Sequence, residues 1–186
     1  AKDGTVALLE WMQANGETMD VCLVGEPTCP ENMGQMMKIG RRGSMNAFFK
    51  ITGQQGHSAY PHRAKNPLPA MACLVAKLSS AELDQGTEYF DASSLAVVTI
   101  DTDNTATNII PAQTLSTVNL RFNDAHSGAS LTRWLQTQAN GIATKFDVSV
   151  ELETSISGES FITPPSALSE LVANAVQIET NRTPEM

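Results

Sequence analysis

The chain has 186 residues, 41% of them hydrophobic and 5% aromatic, so an ordinary domain core can be built, mainly from Leu, Val, Ile, Ala and Met. Twelve Lys and Arg stand against 20 Asp and Glu, a formal net charge of -8, which argues against nucleic acid as a partner and makes each arginine a residue to explain. Cys22, Cys29 and Cys73 lack a metal-binding CxxC spacing and point to reduced thiols in the cytoplasm; no signal peptide is expected from the residues that follow Ala1, and no apolar run is long enough to cross a membrane.

Residues 4–14 read as a helix, with Val6, Leu9 and Met12 on one stripe and Gly16 beyond it as a stop signal. Residues 20–24 carry the apolar run Val21-Cys22-Leu23-Val24, which reads as a short buried strand ending at Gly25-Glu26-Pro27. A carboxylate at the carboxyl end of such a strand is a usual place for chemistry. A plain turn residue is the alternative reading of Glu26.

From Gly40 the pattern changes. Residues 45–52 alternate, with Ala47, Phe49 and Ile51 on one face of a half-buried strand. Residues 66–81 are predicted helical: Asn66 can cap the helix, Pro67 suits its first turn, and Met71, Leu74, Val75 and Leu78 form the buried stripe. Residues 95–100 form a β-branched strand. Another spans 115–122, with Val118, Leu120 and Phe122 on one face and Thr117, Asn119 and Arg121 on the other. Residues 127–140 give a second helix, carrying Leu131, Trp134 and Leu135 and ended by Gly141. Residues 146–152 alternate as a fourth strand, and Ser155-Ile156-Ser157-Gly158-Glu159 reads as a loop. Pro164 and Pro165 then open a third helical segment with Leu168, Leu171, Val172 and Ala175 on its apolar stripe.

The order over 40–153 is therefore β-α-β-β-α-β. This predicts an α+β fold of the split βαβ, ferredoxin-like kind: a four-stranded antiparallel sheet with two helices on one face and a partly polar opposite face. The first helix–strand unit and the last helix fall outside this pattern. They read as two ends of a neighbouring α/β domain into which the module is inserted. The expected boundaries are 1–38 and 157–186 for that domain and 39–156 for the module.

His57 and His62 stand in Gly56-His57-Ser58-Ala59-Tyr60-Pro61-His62, directly after the first strand of the module. Two histidines with no third ligand nearby make a poor metal site, and Pro61 blocks a helical arrangement. Two readings remain for His57: a surface-loop residue, or a hydrogen-bond donor to a substrate oxygen. Arg41 and Arg42 lie in Gly40-Arg41-Arg42-Gly43-Ser44, and Arg121 is on the polar side of its strand. In an acidic chain these are either solvated charges or clamps for a carboxylate, which the guanidinium fork matches bidentately. His126 lies in a turn and receives no role.

Gly25-Glu26-Pro27, Gly40-Arg41-Arg42-Gly43-Ser44, the His57 loop running to Asn66-Pro67, Asp84-Gln85-Gly86, Asn108-Ile109-Ile110-Pro111 and Asn119-Leu120-Arg121-Phe122 occur in this order across nearly the whole chain. As an ordered set they resemble the superfamily of dizinc deacylases and carboxypeptidases that includes acetylornithine deacetylase and aminoacylase. The resemblance implies hydrolysis of an amide in an acylated, polycarboxylate amino acid by two zinc ions, with Glu26 as a ligand of one of them. It implies that His57 donates to the oxyanion of the tetrahedral intermediate in the partner subunit's site, with Thr107 and Asn108 contacting substrate from the same side. Thr107 stands where an asparagine is common in this family. Arg41 and Arg121 match arginines that hold substrate carboxylates, and Ser44 and Tyr60 match neighbouring contacts.

An unprotected edge of the sheet invites pairing with a second copy, and the resemblance agrees in implying a homodimer through residues 39–156; the helix from Asn66 and the strand beside it are candidates for the contact, although periodicity does not identify the edge. The family's other zinc ligands and its general-base glutamate find no match here, so this segment is expected to bind no zinc and to be inactive by itself. Two alternatives stay open. One is a deacylase or peptidase for a different acylated amino acid, which relative rates on succinylated and acetylated substrates would separate. The other is a purely structural dimerisation module, in which His57 and Asn108 could be changed without loss of turnover.

Overall fold

A computed structural model describes residues 4–27 and 29–186. The elements in chain order are α1 (Thr5–Ala14), β1 (Gly40–Arg41), β2 (Gly43–Thr52), β3 (Gly56–His57), α2 (Pro67–Ser79), β4 (Ser94–Asp101), β5 (Ile109–Ile110), β6 (Gln113–Phe122), α3 (Gly128–Phe146), β7 (Ser149–Gly158), β8 (Phe161–Ile162) and α4 (Ala167–Thr180). Residues Ile39–Thr163 form one compact unit, and the segments up to Lys38 and from Pro164 form another.

In the first unit the sheet order is β4-β6-β2-β7, with all neighbours antiparallel. This is the α+β, split βαβ order that the alternation of strands and helices predicts. The two long central strands set the register, pairing Met45 with Leu120 and Ala47 with Val118. Because side chains alternate along a strand, Met45, Ala47, Phe49 and Ile51 all reach one face and are at most 1% exposed. Ala70, Met71, Leu74 and Leu78 of α2 and Leu131, Leu135, Ala139 and Ile142 of α3 close over that face to complete the core. Each helix starts at a cap. Asn66 accepts from the Leu68 amide at 3.0 Å, and Ser127 and Ser130 form a reciprocal capping box.

Two hydroxyls sit within the core layer, and both are satisfied. Ser116 donates to the Thr99 carbonyl at 2.8 Å and Thr114 to the Asp101 carbonyl at 3.0 Å, beyond a bulge in β4 at Val97/Thr99. The opposite sheet face is open. There Phe48 and Leu115 are partly exposed beside a Lys50–Glu151 ion pair at 3.2 Å.

Three expectations are corrected. Gly141 does not end α3, which continues to Phe146 and stops at Asp147 in a left-handed conformation, φ 51°. The reason is burial: Ile142 extends the stripe of Leu131, Leu135 and Ala139 by one more turn, and that packing outweighs the low helix propensity of one glycine. Phe146 is consequently helical, and the fourth strand is displaced to Ser149–Gly158, absorbing the 155–158 stretch that reads as a loop in sequence. Pairing with β2, from Ser44↔Gly158 to Thr52↔Ser149, holds it there. Residues 20–24 form no strand; Val21, Leu23 and Val24 are 60–73% exposed. An apolar run becomes a strand only where a neighbour supplies the ladder, and among the described residues none pairs with it.

In the second unit, α1 has no buried residue and α4 has only Ser169. The segment that follows α4 is tied to residues 35–37 by a parallel bridge between Met36 and Glu185, with Met37 N donating to Glu185 O at 2.8 Å.

Candidate functional site

The sequence-predicted residues of the 39–163 unit gather into two clusters at opposite ends of β2. At its start, Ser44 lies directly across from Arg121 on β6 and from Gly158 on β7. The alternation that buries Met45 sends Ser44 and Arg121 to the open face. Arg41, on the two-residue ladder β1–β8, reaches the same place: a Cβ added to Gly158 would stand 3.8 Å from Arg41 Nη2. Arg41 and Arg121 are exposed, and Ser44 is buried at 4%. Among the described residues no carboxylate lies within ion-pair distance of either arginine. Two unpaired guanidinium forks beside a hydroxyl can receive a carboxylate bidentately.

At the other end the β2–β6 ladder runs on. Gly53 N donates to Ala112 O at 2.8 Å, and β3 then pairs with β5, Gly56 with Ile110 and His57 with Ile109. Ser58 N donates to Asn108 O at 2.9 Å, so the backbone brings the His57 and Asn108 loops side by side. Gln54 and Lys65 exchange backbone hydrogen bonds across the base of the His57 loop. Gly53 permits this closure, since a Cβ there would lie 2.0 Å from the Lys65 carbonyl oxygen.

The geometry of His57 is specific. Its Nδ1 accepts from the Ala59 amide at 3.0 Å. In the neutral ring that acceptor role assigns the proton to Nε2, leaving an exposed N–H as the outward group. Such a ring can act as a hydrogen-bond donor to an oxygen. Tyr60 packs against it with ring centroids 6.0 Å apart, and the Arg63 guanidinium covers the Tyr60 ring at 5.4 Å.

Thr107 and Asn108 are exposed in the turn before β5. The loop that carries them is braced by Asn104, which the sequence does not single out. Asn104 Nδ2 donates to Ile109 O at 2.9 Å, and its Oδ1 accepts from the Ala106 amide at 3.2 Å. One polar residue among several in a loop carries no periodic signal, so only the folded loop reveals this role.

The clusters are far apart. Ser44 and Thr52 are eight residues apart on one extended strand, about 27 Å at roughly 3.4 Å per residue, and His57 lies beyond Thr52. The two groups therefore remain two separate clusters within a chain.

Glu26 is exposed and lies outside regular structure. Zinc sites take three or four protein donors. Among the described residues no three His, Cys, Asp or Glu side chains come together as a metal site. The donors present here do not fit a complete zinc centre.

Comparison with known proteins defines the class of this fold. Residues 39–147 match the M20 peptidase dimerisation domain, and the chain belongs to that family. The chain is similar to succinyl-diaminopimelate desuccinylase of Ruegeria pomeroyi, with 67% identity over 184 residues, covering 99% of this chain and 48% of that protein. It is similarly related to the enzyme of the same name from Cereibacter sphaeroides, with 66% identity over 185 residues. The chain thus spans about half the length of these curated relatives. Among solved structures, aminopeptidase PepT from Bacillus cereus shares the fold at a TM-score of 0.68 and 14% identity, over 84% of this chain and 40% of that one. No helix among the described residues is long and apolar enough to cross a membrane.

Proposed function

We propose that this chain is the lid and dimerisation part of a zinc-dependent amide hydrolase that cleaves N-succinyl-LL-2,6-diaminopimelate to succinate and LL-2,6-diaminopimelate. The names of the relatives at 66–67% identity supply the substrate. The observation that carries the reading is the separation of the two clusters, each taken here as a half-site. The substrate has a main chain of about ten bonds, comparable to three or four extended residues or about 12 Å. It cannot touch Arg121 and His57 of one subunit, about 27 Å or more apart along β2. A complete site takes its arginines from one subunit and its histidine from another.

In this reading Arg41 and Arg121 hold substrate carboxylates, with Ser44 adding a hydroxyl. His57 of the second subunit donates its Nε2–H to the developing oxyanion, and Tyr60, Thr107 and Asn108 contact substrate from the same side. Glu26 is one ligand of a two-zinc centre whose other donors come from outside this segment. The segment is accordingly inactive alone, and its three free thiols suit the cytoplasm. The second subunit docks through α2 and β4, an edge strand with Val98 and Ile100 53–55% exposed.

The test is subunit complementation in the full-length enzyme. His57→Ala alone should lower turnover roughly 100- to 1000-fold, the usual loss for one oxyanion donor. Arg121→Ala alone should weaken substrate capture. Mixed dimers of the two variants should regain activity, because one of their two sites keeps both wild-type groups. Failure of the mixture to exceed either parent would sink the shared site. Faster turnover of acetylornithine than of the succinylated substrate would reassign the acyl group.

A further inference from the structure

Asp84 lies between α2 and β4, in a stretch that has neither helix nor strand from residue 81 to 93. Its carboxylate is 11% exposed and accepts from the Gly86 amide at 2.8 Å, the Ser93 amide at 3.2 and 3.3 Å, and Asn123 Nδ2 at 2.7 Å. His126 Nε2 stands 3.2 Å from its second oxygen. Asn123 is fully buried; its amide nitrogen also donates to Asp91 O at 3.3 Å, and its backbone N–H donates to Ser93 Oγ at 3.0 Å. Gly86 takes φ 92°, and Thr87 N donates to Phe90 O at 2.8 Å, closing the loop on itself. A buried carboxylate is unfavourable unless donors surround it, and here four groups converge on one.

The clasped loop reaches the elements that carry the arginines. Phe90 packs on Gly40, next to Arg41, where an added Cβ would meet the Phe90 ring at 3.0 Å. Arg42 Nη1 donates to Ala92 O at 3.5 Å. Ser94, beside the clasped Ser93, pairs with Arg121, and Asn123 is two residues beyond it. Arg41 and Arg121 have no carboxylate partner among the described residues, so backbone must hold these like charges at one sheet end.

We infer that Asp84, through its clasp on Ser93 and Asn123, is a positioning residue for the Arg41–Arg121 half-site and sets its grip on substrate carboxylates. This inference rests on the proposed function for the identity of the ligand, and on the hydrogen-bond pattern alone for the clasp. Asp84→Asn keeps the shape but turns an N–H toward donors that need an acceptor.

Two measurements test it. In the full-length enzyme, Asp84→Asn should raise KM for the succinylated substrate about 10- to 100-fold, the scale of a small misplacement of a binding group, with kcat within about twofold. That increase should shrink for one analogue in which a carboxylate is replaced by a neutral amide. An equal fall in kcat for every substrate, or unchanged KM, would overturn the inference. In the 186-residue chain itself, Asp84→Asn should speed amide exchange at Ser93, Arg41 and Arg121 while leaving Ala47 and Phe49 protected. Unchanged exchange at Arg121 would equally overturn it. If Asp84→Asn fails to fold, Asn123→Ser removes one arm of the clasp and is read the same way. A wild-type enzyme that hydrolyses none of these substrates would refute the functional reading, while the exchange measurement would still decide the clasp.

Discussion

The two units of this chain both carry apolar residues on regular helices, with opposite fates. In the 39–163 unit, stripes on β2, β6, α2 and α3 close into a core whose residues are at most 3% exposed. In the other unit, Leu9, Leu171 and Ile178 stand on equally regular helices and are 46–80% exposed. The difference teaches that a stripe records which face a helix can bury, while burial needs a second surface. The split βαβ module contains both surfaces within one stretch of chain. For α1 and α4 we propose that the matching surface belongs to the remaining half of the longer relatives.

The strongest way to break this comparison is to truncate matched residues in both units. Phe49→Ala should destabilise the module by about 3–5 kcal/mol, while Leu171→Ala should change stability by no more than about 0.5 kcal/mol. Urea titration followed by Trp134, which packs against the core, reads the module. Trp11→Phe removes the exposed tryptophan of the other unit. Equal losses at both sites would mean that the two units share one cooperative core.

Acid offers a second test. Burial alone would raise the Asp84 carboxyl, but hydrogen bonds from Ser93, Gly86 and Asn123 outweigh it and hold the group at about 2, below its ordinary 3.8. A depressed folded value means that its contribution is complete above 3.8 and is lost as pH falls towards about 2. The module should therefore lose urea resistance across that window, and Asp84→Asn should flatten the slope there. An unaltered acid profile in the variant would place the acid sensitivity elsewhere.

Smaller effects sharpen the comparison at single turns. Asn66→Ala should cost about 1 kcal/mol, because the Leu68 amide loses its cap. A shift in the urea midpoint at constant slope would show it. Gly141→Ala should stabilise the module by up to about 1 kcal/mol, since the position is exposed within α3 and an added Cβ meets nothing within 4 Å. A loss of stability there would mean that the last turn of α3 is strained.

The sequence by itself determined the sheet and its two helices, because period-2 and period-3.6 patterns are local records of which side chains face a core. Asn66 and Pro67 marked the start of α2 for the same local reason. Local pattern also drew attention to Arg41, His57 and Arg121, whereas Ser44, Tyr60 and Asn108 became candidates only through the family resemblance that the ordered motifs carry. Tertiary structure alone decided where α3 ends, because Gly141 reads as a stop until Ile142 finds its place in the core. It also decided that residues 155–158 join β7, since only pairing with β2 distinguishes that strand from a loop. Above all it decided distance. The motif order places Arg41 sixteen residues from His57, yet β2 is extended and holds their clusters about 27 Å apart. Arg121 and Ser44, 77 positions apart in sequence, meet across one ladder because antiparallel register brings them opposite each other.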